Sequence, residues 1–216
     1  MNLMKDRLLM DVQKIAFESL RDDTTGHAMD HMNRVVQNAL LIMKGMNVDE
    51  VVVLVSCYVH DCIDEKLVED VEKASKQLER QLYSIGLSKE QVMQVMHIIR
   101  NLSFSKREIS EPLSDEGKVV QDADRLDAIG AVGIARTFQY SGSKGNVLYD
   151  STIPLPVEDR EIGQNARHST LHHFYDKLLL IKDNMNTKNG KKLAMERHKT
   201  LEQFLLQFMK EWNGVG

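Results

Sequence analysis

The chain has 216 residues, 42% of them hydrophobic, which is enough apolar material to fill the core of one ordinary domain. A formal net charge of −4 argues against a general polyanion-binding surface, so nucleic acid is not the expected partner. No apolar run is long enough for a membrane span, and the polar start Met1-Asn2-Leu3-Met4-Lys5-Asp6-Arg7 does not suit a secretory signal, so no membrane partner and a cytoplasmic location are expected.

Only three prolines occur, Pro112, Pro154 and Pro156, and the glycines mostly separate apolar-periodic segments, which predicts an all-α protein. Helices are expected at about 3–20, 28–45, 48–62, 68–85, 88–102, 117–140, 164–184 and 188–213. In the second of these regions His27 and His31 are four residues apart, share one helical face, and either could point inward. The third contains the apolar run Val51 to Val59 and ends in His60-Asp61, where a charged carboxylate is costly unless it is paired or bound to a cation. Cys57 and Cys62 flank that pair without a second cysteine pair, so buried reduced thiols are expected rather than a disulfide or a zinc ribbon. Asp64 and Glu65 follow directly.

Ser88 and Gln91 form a capping-box pattern ahead of Val92, Val95, Met96 and Ile99 on one face, and Asn47 with Glu50 repeats that start signal. His97 reads as a core or surface group. A loop at 103–116 carries Lys106 and Arg107. The next predicted helix sets Asp122, Asp124 and Asp127 among Val119, Val120, Leu126 and Ile129, and a solvated acidic face cannot explain all three. Asp122 and Asp124 point about 200° apart on a helix whereas Asp124 and Asp127 share a face, so one acid binds and another supports. The stretch 141–163 is the longest non-helical candidate and suggests a functional loop, and Lys144 in Ser141-Gly142-Ser143-Lys144-Gly145 is either a phosphate contact, though without the Walker A spacing, or part of a plain surface loop. Beyond it, His172 and His173 read as structural, Lys177 lies in a segment expected to border the site, and Leu201, Phe204, Leu205 and Phe208 read as the stripe of a closing helix.

Two imidazoles and two carboxylates, with no thiolate, are the donor types that suit a hydrolytic divalent transition metal. The order His31, His60-Asp61, then Asp124 within Ala123-Asp124-Arg125-Leu126-Asp127-Ala128 resembles the H…HD…D signature of the HD-domain metal-dependent phosphohydrolases. Arg34-Val35 after His31 is similar to the first-helix motif, and the resemblance runs from about Asp22 to Tyr140. It implies a compact single-domain bundle over 1–216, a metal-binding core at about 22–140, and C-terminal helices at 164–213 packed on it. It also implies that His31, His60, Asp61 and Asp124 hold one divalent ion, with Asp122 and Arg34 supporting them from outside. Asp64 and Glu65 are then the candidate catalytic acids, and because phosphate hydrolysis calls for basic residues beside the site, Lys106, Arg136, Lys144 and Lys177, in the segments expected to border it, are the candidate substrate contacts. Dinuclear members carry further histidines between the HD pair and the last Asp, where this chain has only His97, so one metal is expected.

Imidazole donors favour Mn²⁺ over Mg²⁺, with Co²⁺, Ni²⁺, Fe²⁺ and Zn²⁺ as alternatives. Similarity to small stand-alone bacterial members implies hydrolysis of a nucleoside triphosphate to release pyrophosphate. A deoxynucleoside monophosphatase, an alarmone hydrolase and a non-catalytic nucleotide- or metal-sensing module are the competing readings.

Overall fold

The structure is a computed structural model that describes residues 3–19, 29–65, 67–102, 111–153, 155 and 169–215. Among these the regular elements are all helical, as expected. They form two compact units, Met1–Asp124 and Arg125–Gly216, with the division falling inside one helix.

The first unit contains α1 (Leu3–Ser19), α2 (Met29–Ile42), α3 (Glu50–Val59), α4 (Val71–Ser84), α5 (Lys89–Asn101) and most of α6 (Asp115–Asp127). Helix α3 is apolar nearly all round and buried from Val52 to Val59, which makes it the central element, packed by α1, α2 and α5. Its amphipathic neighbours each bury one face: Val35, Val36, Ala39 and Ile42 on α2, Leu78 and Leu82 on α4, Val92, Val95 and Ile99 on α5.

Side-chain oxygens define the helix starts. Ser88 and Gln91 form the expected capping box. At α3 the cap is Asp49, which accepts from the Val51 and Val52 N–H groups at 2.8 and 3.2 Å, and not the anticipated Asn47. The other Asp49 oxygen accepts from Gln91 Nε2 at 3.0 Å, and its N–H donates to Glu116 at 3.1 Å. These bonds tie together the starts of α3, α5 and α6, while Glu50 pairs with Lys5 at 2.6 Å.

The second unit contains α7 (Gly130–Ser143), α8 (Thr170–Asp176), a 3-10 helix (Leu178–Asn184) and α9 (Lys188–Trp212). The single helix expected over 117–140 is broken between α6 and α7, because Ile129 is extended and Gly130 takes a φ of +78° that favours glycine. Arg197 donates to the Leu126 carbonyl, and Arg136 donates to the buried carboxylate of Asp127. Cations at the C-terminal end of α6 oppose its dipole and satisfy carbonyls that the helix leaves open. Of the single helix expected over 164–184, residues 164–168 lie outside the described residues and the rest is divided at Lys177 into α8 and the 3-10 helix. Phe138, Phe174, Phe204, Phe208 and Trp212 form a cluster of ring contacts along α7, α8 and α9, some stacked and some tilted or edge-on, with centroids 5.7–6.3 Å apart. Among the described residues, no helix is long and apolar enough to cross a membrane.

Candidate metal centre

Three helices of the first unit bring the histidines and aspartates together. His31 lies in the first turn of α2, His60 and Asp61 follow the last turn of α3, and Asp124 is on α6. His31, His60 and Asp61 are buried, and the Asp124 side chain remains 45% exposed, so the cluster opens on its aspartate side. Donor atoms of His31, His60 and Asp124 all lie within 4.8 Å of one another. Asp61 Oδ2 stands 3.4 Å from His60 Nε2 and 3.8 Å from His31 Nε2. Asp124 Oδ1 stands 3.5 Å from His31 Nε2 and 3.7 Å from His60 Nε2.

These separations suit an ion at the centre, because donors bound at about 2.0–2.2 Å to one metal stand about 3–4 Å apart. The chemistry of the set agrees. His60 donates from Nδ1 to the Cys57 carbonyl at 2.9 Å, which orients the ring with Nε2 toward the aspartates. Burial works to lower the His60 pKa, yet the facing Asp61 and Asp124 carboxylates outweigh it and push the imidazole up to about 10. For Asp124, enclosure by the surrounding protein works to raise the carboxyl pKa, and the facing His60 and His31 imidazoles outweigh it and hold it below its ordinary value.

Asp122, expected to support the site, is fully buried on α6. Arg34 meets Asp30, one turn back on α2, at 2.9 Å. Asp64 and Glu65 lie on the turn that continues from Asp61, with the Asp64 N–H donating to the Asp61 carbonyl at 3.1 Å. Asp64 is half-buried and Glu65 exposed. His97 sits 3.4 Å from Glu111 and 3.3 Å from the Pro112 carbonyl, a surface arrangement. Cys57 and Cys62 are free and buried.

Of the basic residues expected near substrate, Lys106 and its neighbour Arg107 lie outside the described residues, as does His27. Arg136, Lys144 and Lys177 belong to the second unit. There Arg136 is paired with Asp127, Lys144 lies over the Tyr140 ring at 5.6 Å, and Lys177 is exposed at the end of α8. Asn38, which no motif in the sequence marks out, donates from Nδ2 to the Ala123 carbonyl at 3.0 Å. The available signal was an amide within the apolar stripe of a helix.

Comparison with known proteins gives consistent relatives. The sequence profile of the HD domain matches residues 28–129. The uncharacterised protein YpgQ of Bacillus subtilis is 41% identical over 198 residues, covering 91% of this chain and 89% of YpgQ. A crystal structure of an HD-superfamily hydrolase from Bacillus thuringiensis aligns with a TM-score of 0.78 and 38% identity, covering 97% of this chain and 98% of the other. The crystal structure of B. subtilis YpgQ in complex with ADP aligns with a TM-score of 0.77 and 37% identity, covering 97% of each chain.

Proposed function

We propose, since the chain belongs to the HD-domain family, that it is a divalent-metal-dependent phosphohydrolase acting on nucleotides, and that it releases pyrophosphate from nucleoside triphosphates. The observation that carries this reading is the convergence of His31, His60 and Asp124, whose donor atoms lie within 4.8 Å of one another, with Asp61 Oδ2 3.4 Å from His60 and 3.8 Å from His31. The relative solved with ADP supports a nucleotide as the ligand class.

His31, His60, Asp61 and Asp124 would hold the ion, and imidazole nitrogen with carboxylate oxygen favours Mn²⁺ over Mg²⁺. When bound, a divalent cation supplies Lewis-acid polarisation of a phosphoryl oxygen and acidifies water near neutral pH. The remaining chemistry belongs to the protein. The carboxylate of Asp64 or Glu65, on the turn following Asp61, accepts the proton of the attacking water. The exposed edge of Asp124 leaves the phosphate chain a way in, and the apolar body of α3 limits solvent behind the histidines.

The test is incubation of the purified protein and Mn²⁺ with a panel of nucleoside mono-, di- and triphosphates, with the released phosphorus species identified by ³¹P NMR. Pyrophosphate from triphosphates supports the reading, and orthophosphate from monophosphates replaces it with a phosphatase. Metal uptake with no turnover of any nucleotide would make the protein a sensing module. In the same assay Glu65→Gln is expected to keep its metal and lose about 10²–10⁴ in kcat.

A further inference from the structure

We propose that Asn38 is the positioning residue of the metal centre: its amide holds the backbone beside Asp124 and so sets where that carboxylate meets the two imidazoles. The inference rests on the metal-site reading above.

Asn38 lies among the buried apolar residues Val35, Val36, Ala39 and Ile42 of α2 and is itself only 4% exposed. An amide in such a place is tolerated when it is hydrogen-bonded. Its Nδ2 donates across 85 residues of sequence to the carbonyl of Ala123, at 3.0 Å. Ala123 is fully buried and directly precedes Asp124.

The spacing on α2 gives the bond its meaning. His31 is seven residues before Asn38, two helical turns and about 10 Å away on the same face. One face of α2 therefore supplies an imidazole to the cluster and, two turns on, grips the helix that supplies the carboxylate. The apolar contacts of α2 are non-directional and tolerate a slide of a fraction of an ångström. A buried amide–carbonyl bond is directional, weakens steeply once its angle is lost, and adds a fixed point between α2 and α6. With the Ala123–Asp124 backbone held, Asp124 keeps only its two side-chain torsions to bring Oδ1 to 3.5 Å from His31 and 3.7 Å from His60.

The test titrates Co²⁺ alone into the full-length protein, reading affinity and the visible d–d band envelope, in wild type, Asn38→Leu and Leu82→Ala. Leu82 is fully buried on α4, so its truncation costs fold stability without touching the α2–α6 bond. Asn38→Leu is expected to weaken Co²⁺ binding by about tenfold to a hundredfold and to change the band envelope. Leu82→Ala is expected to melt earlier yet keep the wild-type affinity and spectrum. Should Asn38→Leu fail to fold, Asn38→Ser, too short to reach the carbonyl, carries the same expectation. Wild-type affinity and spectrum in the folded Asn38 variant would overturn the inference and leave the metal site standing, as would an equal loss in Leu82→Ala. A wild type that takes up no Co²⁺ would overturn both together.

Discussion

His60 is subject to two opposed demands. Burial disfavours its charged form, while two carboxylates within 4 Å favour it, and the carboxylates prevail, with a metal-free pKa of about 10. The consequence for stability has a definite sign. The ion-pair stabilisation is fully present below the unfolded value of about 6.5 and is lost as pH rises through about 10. Metal uptake runs the other way, because a cation takes the place of the proton. Between those two values the folded metal-free site holds a proton that the ion must expel, so affinity for Mn²⁺ is expected to rise by up to about tenfold per pH unit. Calorimetric titration at pH 6.5 and 7.5, in two buffers of different ionisation enthalpy, checks this. Binding without proton release, or stronger at the lower pH, would contradict it.

At the scale of elements, the site depends on where helices start and stop. Asp49 starts α3 and links it to α5 and α6, and the apolar run from Val52 to Val59 then carries His60 and Asp61 into the interior. The end of α6 is as well defined, through Gly130. At φ +78° any other residue is strained, and a Cβ there would stand 3.1 Å from Arg197 Cγ. Gly133 is tighter still, since an added Cβ would lie 2.3 Å from the Ala128 carbonyl oxygen. Gly130→Ala is expected to cost about 1–2 kcal/mol, and Gly133→Ala about 1–3 kcal/mol as the turn is forced apart. Urea unfolding of both variants measures these losses, and wild-type midpoints would show that the break tolerates a side chain.

For the whole molecule, an ion bound by the folded chain and not by the unfolded chain must raise its melting temperature. At a free concentration of a hundred times Kd the added stability is about 2.7 kcal/mol. Mn²⁺ or Co²⁺ is therefore expected to shift Tm upward by several degrees in wild type and to leave Asp61→Ala unmoved, since that substitution removes an anionic donor. Differential scanning calorimetry with and without a chelator reads the difference. An equal shift in Asp61→Ala would place the ion elsewhere.

The all-α class was legible in the sequence because hydrophobic period is a local signal, and misplaced charge pointed to His60-Asp61 and to the acids at 122–127, while the choice of His31 over His27 and of Asp124 among those acids rested on the resemblance to the HD-domain family. An acid closing the run Val51–Val59, or three acids among Val119, Val120 and Leu126, announces a buried partner without any knowledge of the fold. The cap at Asp49, the break at Gly130 and the bond from Asn38 to Ala123 were settled only by tertiary structure. Each depends on which group happens to face it in space: Gln91 and Glu116 across the helix starts, Arg197 at the end of α6, a carbonyl 85 residues away. Periodicity shows that a side chain turns inward, and only the packed chain determines what it meets there.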